Sequence, residues 1–124
     1  MTAPGPRVVV LAEDIIWSER LMRLLRAVGA EPIGARDMAA FEAAAAEATG
    51  AIVDLTAVRL EPLVAIGRGR AAGLRVLAVG QHDDHALRKR ALAVGAERVY
   101  AYRKLFEDGE ATLSAWLATT PTTV

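Results

Sequence analysis

The sequence contains no cysteine, and this absence excludes disulfide bonds, thiolate chemistry and cysteine-based zinc sites. It also has no excess of charge, because 15 basic and 15 acidic residues cancel to a formal net charge of zero. A protein that binds nucleic acid normally needs a basic excess to displace counterions from phosphates. We therefore expect no nucleic-acid partner, and we expect a cytoplasmic protein, which is the usual location of domains without disulfides.

Long hydrophobic runs are also missing. No apolar stretch approaches the roughly 20 residues of a membrane span, and the first residues lack the basic and apolar segments of a signal peptide. A chain of 124 residues is long enough for one domain with a well-buried core. We predict one domain over residues 7–118, without membrane contact, and flexible tails at 1–6 and 119–124.

The features that are present are short apolar runs that alternate with helical patterns. The predicted strands, rich in β-branched and other apolar residues, are 7–12, 31–35, 51–54, 75–79 and 98–102. Helical segments are expected to begin near residues 15, 37, 61, 84 and 109. Strands that alternate with helices predict an α/β domain with a parallel sheet, right-handed crossovers and helices on both faces.

Four glycines recur at intervals of just over twenty residues and mark the boundaries of this repeat. Each is expected to end a helical stretch by supplying a left-handed backbone conformation, and they are Gly29, Gly50, Gly73 and Gly95. Pro32 and Gly34 weaken hydrogen bonding in the second strand, which we therefore place at a sheet edge. In the fourth helix we expect Leu87, Ala91 and Val94 to face the core.

Acidic residues follow two of the buried strands. Asp54 ends the third strand, and Glu13 and Asp14 come directly after the first. Because ligands of open α/β sheets bind outside the carboxyl ends of the strands, we expect the functional site at this edge.

This arrangement resembles the receiver domains of two-component response regulators, which have a doubly wound flavodoxin-like fold with the strand order 2-1-3-4-5. The resemblance covers about residues 7–118. It implies that Asp54 is a candidate phospho-acceptor and that Lys104 is a candidate phosphate contact. It also implies a Mg²⁺ site formed by Glu13, Asp14 and Asp54, although counting back from Gly29 without a gap gives Ala12 and Glu13 as the acid pair.

Several positions depart from the pattern of that family. Gly80 stands where the family has a Thr or Ser, so no side-chain hydroxyl is available there. The family's Lys falls on Tyr102 when the chain is counted without a gap, and Lys104 matches it only if the fifth strand is two residues longer. Val58 replaces a Pro that usually follows the phospho-acceptor.

These departures favour an atypical receiver that is not an enzyme and acts by protein–protein interaction in a two-component or related pathway. One alternative is an active receiver that is phosphorylated on Asp54 with Mg²⁺, with a histidine kinase as its partner. A weaker alternative is a flavodoxin-like domain that binds a small ligand. A salt-sensitive, weak homodimer through residues 83–118 is also expected, because this segment carries charges of both signs.

Trp17 lies one helical turn from the acids and off the apolar stripe of the first helix. Two interpretations remain open from the sequence. The favoured one is that its ring packs over the loop, and the other is that it is an exposed anchor for a partner.

Overall fold

The computed structural model describes residues 5–118, in which five strands alternate with five helices. The strands are Arg7–Leu11 (β1), Glu31–Ala35 (β2), Gly50–Asp54 (β3), Arg75–Gly80 (β4) and Arg98–Ala101 (β5). The helices are Ile15–Ala27 (α1), Met38–Ala45 (α2), Pro62–Ala71 (α3), His85–Val94 (α4) and Tyr102–Ala118 (α5). No helix within the described part is long and apolar enough to cross a membrane. Most of the two predicted tails lies outside the described residues.

The strands form one parallel sheet in the order β2-β1-β3-β4-β5, which confirms the predicted topology. Successive side chains of a strand point to opposite faces, so each buried strand contributes to two apolar layers. Val9 and Val53 belong to the layer covered by α2, α3 and α4, whereas Val10 and Ile52 belong to the layer covered by α1 and α5. The strand with Pro32 is at an edge, as predicted.

Aspartates cap three of the helices. The side chains of Asp14, Asp37 and Asp84 accept hydrogen bonds from backbone N–H groups in the first turns of α1, α2 and α4. Such caps typically contribute about 1 kcal/mol each, because they satisfy donors that have no partner within the helix. The capped amino-terminal ends of all three helices lie at the carboxyl edge of the sheet, because each helix follows a strand.

The glycine repeat is only partly a set of helix caps. Gly29, Gly73 and Gly95 have φ values of 88°, 89° and 125°, as left-handed caps require. The prediction for Gly50 is wrong, because this residue begins β3 and does not have a positive φ. A Cβ atom there would lie 3.1 Å from the Trp116 ring, so close packing is the reason for a glycine at this position.

Two boundaries near the end of the chain also differ from the prediction. β5 ends at Ala101, so Tyr102 begins α5 and does not end the strand. α5 starts before the predicted residue 109 and passes through a kink at Asp108, directly before the predicted start. Val94 is 40% exposed, so the prediction that it faces the core is wrong; Ala91 is the fully buried residue of α4.

Candidate functional site

Asp54 is the centre of a hydrogen-bonded group at the carboxyl edge of the sheet. It ends β3 and is only 2% exposed. Its Oδ1 atom accepts hydrogen bonds from the Thr56 backbone N–H at 2.9 Å and from the Thr56 hydroxyl at 2.7 Å. The Tyr102 hydroxyl donates to the same oxygen. A buried carboxylate needs such donors, because removing it from water without them is costly.

The two hydroxyl groups also contact each other. The Thr56 and Tyr102 hydroxyl oxygens lie 2.9 Å apart. Two hydroxyl protons therefore serve three contacts among Thr56, Tyr102 and Asp54, since each hydroxyl carries one proton. Either hydroxyl can turn from the carboxylate and donate to the other, so the network has more than one arrangement.

The Tyr102 ring is held by Trp17. The ring centroids are 4.2 Å apart with planes at 72°, which is the edge-to-face geometry that aromatic pairs favour. Burial, followed by the hydrogen bond to Asp54, raises the pKa of Tyr102 well above its ordinary value. Tyr102 therefore acts as a neutral donor toward Asp54 throughout the physiological range of pH.

Trp17 connects this buried group to the surface. It is 8% exposed, which confirms that it packs over the site. Its ring centroid lies 5.2 Å from that of Phe106, and the Arg20 guanidinium lies 3.9 Å from the Phe106 centroid. Phe106 is 53% exposed, so this series of aromatic contacts ends at the protein surface.

The structure does not gather the predicted magnesium ligands into one cluster. Asp14 accepts a hydrogen bond from the Trp17 backbone N–H as the cap of α1, and Glu13 lies 3.9 Å from the Arg59 guanidinium. Within residues 5–118, no three acidic, His or Cys side chains are placed to hold a metal ion. In this conformation the acids do not form a Mg²⁺ site, because Glu13 faces Arg59 and the described acidic side chains do not converge in a group of three.

Lys104, the predicted phosphate contact, forms an ion pair with Asp108 and none with Asp54. Its amino group is 3.5 Å from Asp108 on the same helix, and both side chains are about half-exposed. Asp54 has no ion-pair partner among the described residues. The structure therefore places Tyr102, and not Lys104, beside the acid.

Gly80 ends β4 next to a filled space. A Cβ atom at this position would lie 3.1 Å and 3.3 Å from Cδ1 and Cβ of Leu55. Leu55 is itself buried. A side chain at residue 80 would therefore require Leu55 to shift by a few tenths of an ångström.

Sequence reasoning missed Thr56 and the role of Tyr102 as a ligand of Asp54. A signal existed for both. A Thr two residues after an Asp is placed to form a local side-chain hydrogen bond. Alignment without a gap also placed Tyr102 at the position of the family's Lys, which was expected to face Asp54. This alignment did not predict that Tyr102 begins a helix.

Comparison with known proteins identifies the fold. No family model matches the sequence, and no curated protein matches it. A response regulator from Thermotoga maritima superposes with a TM-score of 0.78 at 18% sequence identity, covering 93% of this chain and 99% of that chain. The BeF3-activated receiver domain of DrrB gives a TM-score of 0.80 at 10% identity, covering 93% and 99%.

A third similar structure contains a modified site. A response regulator protein from Burkholderia pseudomallei, with a phosphorylated aspartic acid, a calcium ion and citrate, gives a TM-score of 0.70 at 17% identity, covering 97% of this chain and 78% of that chain. Similarity at these identities establishes the fold. The chain has the flavodoxin-like fold of response-regulator receiver domains, which the sequence pattern predicted.

Proposed function

We propose that this chain is a receiver-fold signalling domain that acts by binding a protein partner, without carrying a phosphoryl group on Asp54, and that it is not an enzyme. The observation that carries the proposal is the absence of a positive charge at Asp54 among residues 5–118: the neighbouring side chain is the neutral Tyr102, and Lys104 pairs with Asp108. Phosphoryl transfer to a carboxylate requires cations or strong donors around the transferred oxygens.

A second observation supports the same conclusion. The hydroxyl that would contact a phosphoryl oxygen at the end of β4 is replaced by Gly80, and Leu55 fills the adjacent space. A side chain at residue 80 would therefore also require a small shift of Leu55. Two separate groups that would contact a phosphoryl group, a cation beside Asp54 and a hydroxyl at residue 80, are thus replaced by other residues.

The surface near Asp54 is suited to protein contact. Phe106 on α5 is exposed, and its ring contacts Trp17, which packs on Tyr102. An exposed aromatic ring beside a charged group, such as Phe106 beneath the Arg20 guanidinium, is typical of interaction surfaces. The partner is expected to be a signalling protein, as the fold suggests.

The second candidate is an active receiver that is phosphorylated on Asp54. The location of Asp54 at the carboxyl end of β3 favours it, as does the phosphorylated aspartic acid in the similar Burkholderia protein. Mg²⁺ would then have to enter a site whose Oδ1 atom already accepts three hydrogen bonds.

Incubation with a small acyl phosphate and Mg²⁺, followed by intact-protein mass spectrometry, separates the two candidates. We expect the wild-type chain to show no phosphoryl adduct and to match Asp54→Asn, while an active receiver domain treated with the same reagent is modified. An adduct on the wild-type chain that is absent from Asp54→Asn would overturn the proposal and establish the second candidate.

A further inference from the structure

We propose that the groove between the start of α3 and α4 is a docking site for a protein partner, and that this partner presents an acidic segment with an apolar anchor side chain. The inference deepens the proposed function, on which it rests, because it names where a partner binds and which charge it carries. Three features of the structure support it: an apolar groove, exposed valines that line it, and flanking helices that carry only basic charge.

The groove has a volume of about 310 Å³ and begins directly after Asp54 in the chain, at Leu55. Its apolar lining includes Leu55, Val58, Val64 and Leu87. Leu55 is buried and Leu87 packs against the core, so these two side chains are held in place. The volume corresponds to about ten waters, which is enough for an apolar side chain. Anchor side chains that fill such pockets carry much of the binding energy of protein interfaces.

Two valines that line the groove are exposed to water. Val58, in the short 3₁₀ helix Val58–Leu60, is 76% exposed, and Val64 in α3 is 42% exposed. Glu61 lies between them in the chain and has a φ of 48°, the one positive φ of a residue other than glycine within residues 5–118. A left-handed backbone is unfavourable for a residue with a Cβ atom, and such strain is concentrated at functional sites. The strained turn at Glu61 joins the two segments that bring these valines to the groove.

The two helices beside the groove are basic, although the chain as a whole has no net charge. α3 and α4 contain no acidic residue, and their basic residues are Arg68, Arg70, Arg88, Lys89 and Arg90. No ion pair described for residues 5–118 includes a basic residue of α4. Arg90 lines the groove itself, and Glu61 is the one acid among the described residues that line it. A partner with carboxylates facing α4 would therefore be attracted and oriented by complementary charge.

The combination of apolar and basic groups favours a protein over the other possible occupants. The phosphates of a nucleic acid would contact the arginines but would leave the exposed valines without a partner. A second copy of this chain would have to supply acids from α5, where Glu107 and Asp108 already pair with Arg103 and Lys104. We therefore assign the groove to a different protein.

Selection from a display library of random linear peptides, with the whole chain as the target, tests the groove. We expect the enriched peptides to combine aspartate or glutamate with a large apolar residue, and we expect their affinity to fall as salt is raised. Enrichment of peptides without acidic residues, or no enrichment, would overturn the proposal. A phosphoryl adduct on Asp54 would instead overturn the proposed function, and it is measured separately on the chain without peptide.

Matched variants locate the bound peptide. Val64→Gln removes an apolar group of the groove and Arg90→Glu reverses a charge there, so each is expected to weaken the binding of an enriched peptide by about tenfold. The controls are Val94→Gln, a helical valine that is 40% exposed, and Lys89→Glu, the neighbour of Arg90 in α4. Neither control residue lines the groove, and each substitution should weaken binding by less than about threefold. Equal effects of the groove variants and their controls would overturn the proposal.

Two further measurements test the other occupants directly. Binding of random-sequence duplex DNA by the wild-type chain that is lost in Arg90→Glu would assign the basic residues to nucleic acid. Self-association in sedimentation that is lost in Val64→Gln would assign the groove to a second copy of the chain. We expect neither result, and either one would overturn the assignment to a different protein.

Discussion

The two ends of the sheet hold their acidic residues in opposite ways. At the amino end, Glu97 forms two hydrogen bonds to the Arg75 guanidinium, at 2.8 Å and 3.0 Å, and the guanidinium lies 5.4 Å from the centroid of Trp116. At the carboxyl end, Asp54 is held by the neutral hydroxyls of Thr56 and Tyr102. One acid has a charged, bidentate partner, and the other has neutral partners that compete with each other.

The difference has electrostatic consequences for both ends. The hydrogen bond from Arg75 is the main reason that the pKa of Glu97 lies below its ordinary value, and burial opposes the effect. At the other end, the pKa of Tyr102 is raised by burial and by its bond to Asp54. The charged pair fixes β4 to the start of β5, whereas the neutral contacts can be exchanged. We therefore expect the Arg75–Glu97 pair to contribute more to the free energy of unfolding than the contact of Tyr102 with Asp54.

Removing the charged partner should give the largest loss of stability. Arg75→Met leaves the partly buried Glu97 without its bidentate partner, and we expect the free energy of unfolding to fall by about 1.5–2 kcal/mol. Chemical denaturation measures this change. Arg98→Met serves as the control, because it removes an exposed arginine that follows Glu97 directly in the sequence. This substitution should lower the free energy of unfolding by less than about 0.5 kcal/mol. Equal effects of the two substitutions would refute the structural role of the pair.

Removing the neutral partner should cost less. Tyr102→Phe deletes one donor to Asp54, but both contacts from Thr56 remain, so the expected loss is about 1 kcal/mol. Tyr100→Phe should change the unfolding free energy by less than about 0.5 kcal/mol. A loss for Tyr102→Phe as large as that for Arg75→Met would show that the two ends are not different in kind.

Acid should weaken the amino end. The lowered pKa of Glu97 means that the unfolded chain takes up this proton at a higher pH than the folded chain does. The stability from the pair is complete above the ordinary pKa of 4.5 and is lost as the pH falls through the folded value. The free energies of unfolding of wild type and Glu97→Gln should therefore converge as the pH falls below the folded pKa of Glu97. A difference between the two free energies that stays constant with pH would contradict the lowered pKa of Glu97.

Alkali should weaken the carboxyl end. Because the pKa of Tyr102 is raised in the folded state, its contribution is complete below its ordinary value of 10.0 and is lost as the pH rises above it. We expect wild type to lose stability above this pH more steeply than Tyr102→Phe. Denaturation at matched alkaline pH values measures the slopes, and identical slopes would argue against a buried, hydrogen-bonded Tyr102.

The smallest effect is expected for self-association through residues 83–118. Arg103 and Lys104 already pair with Glu107 and Asp108 within α5, so fewer charges are free than the sequence suggested. The described ion pairs leave Arg88 and Arg90 on α4 without partners. A weak dimer should appear in sedimentation only at low salt and high micromolar concentration. A monomer under both salt conditions would exclude it.

The sequence predicted the fold more fully than the site. Apolar runs, Asp caps and three left-handed glycines are local signals, and they were sufficient for the alternating strands and helices and for the position of Asp54. The strand order came from the resemblance to receiver domains. The contacts of Asp54 depend on residues far apart in the chain. Whether residue 102 or 104 faces the acid depends on where β5 ends, and this boundary is set by packing. The contact between Leu55 and the position of Gly80 likewise depends on how separate segments pack, which the sequence pattern does not reveal.

Thermal unfolding with Mg²⁺ and beryllofluoride, which imitates an acyl phosphate on Asp, tests most directly whether Asp54 can hold a phosphoryl group. We predict that beryllofluoride raises the melting temperature by less than about 1 °C beyond Mg²⁺ alone, because Lys104 pairs with Asp108 and residue 80 has no hydroxyl. A further rise of several degrees that disappears in Asp54→Asn would show that Asp54 holds the phosphoryl analogue and would contradict the proposed function.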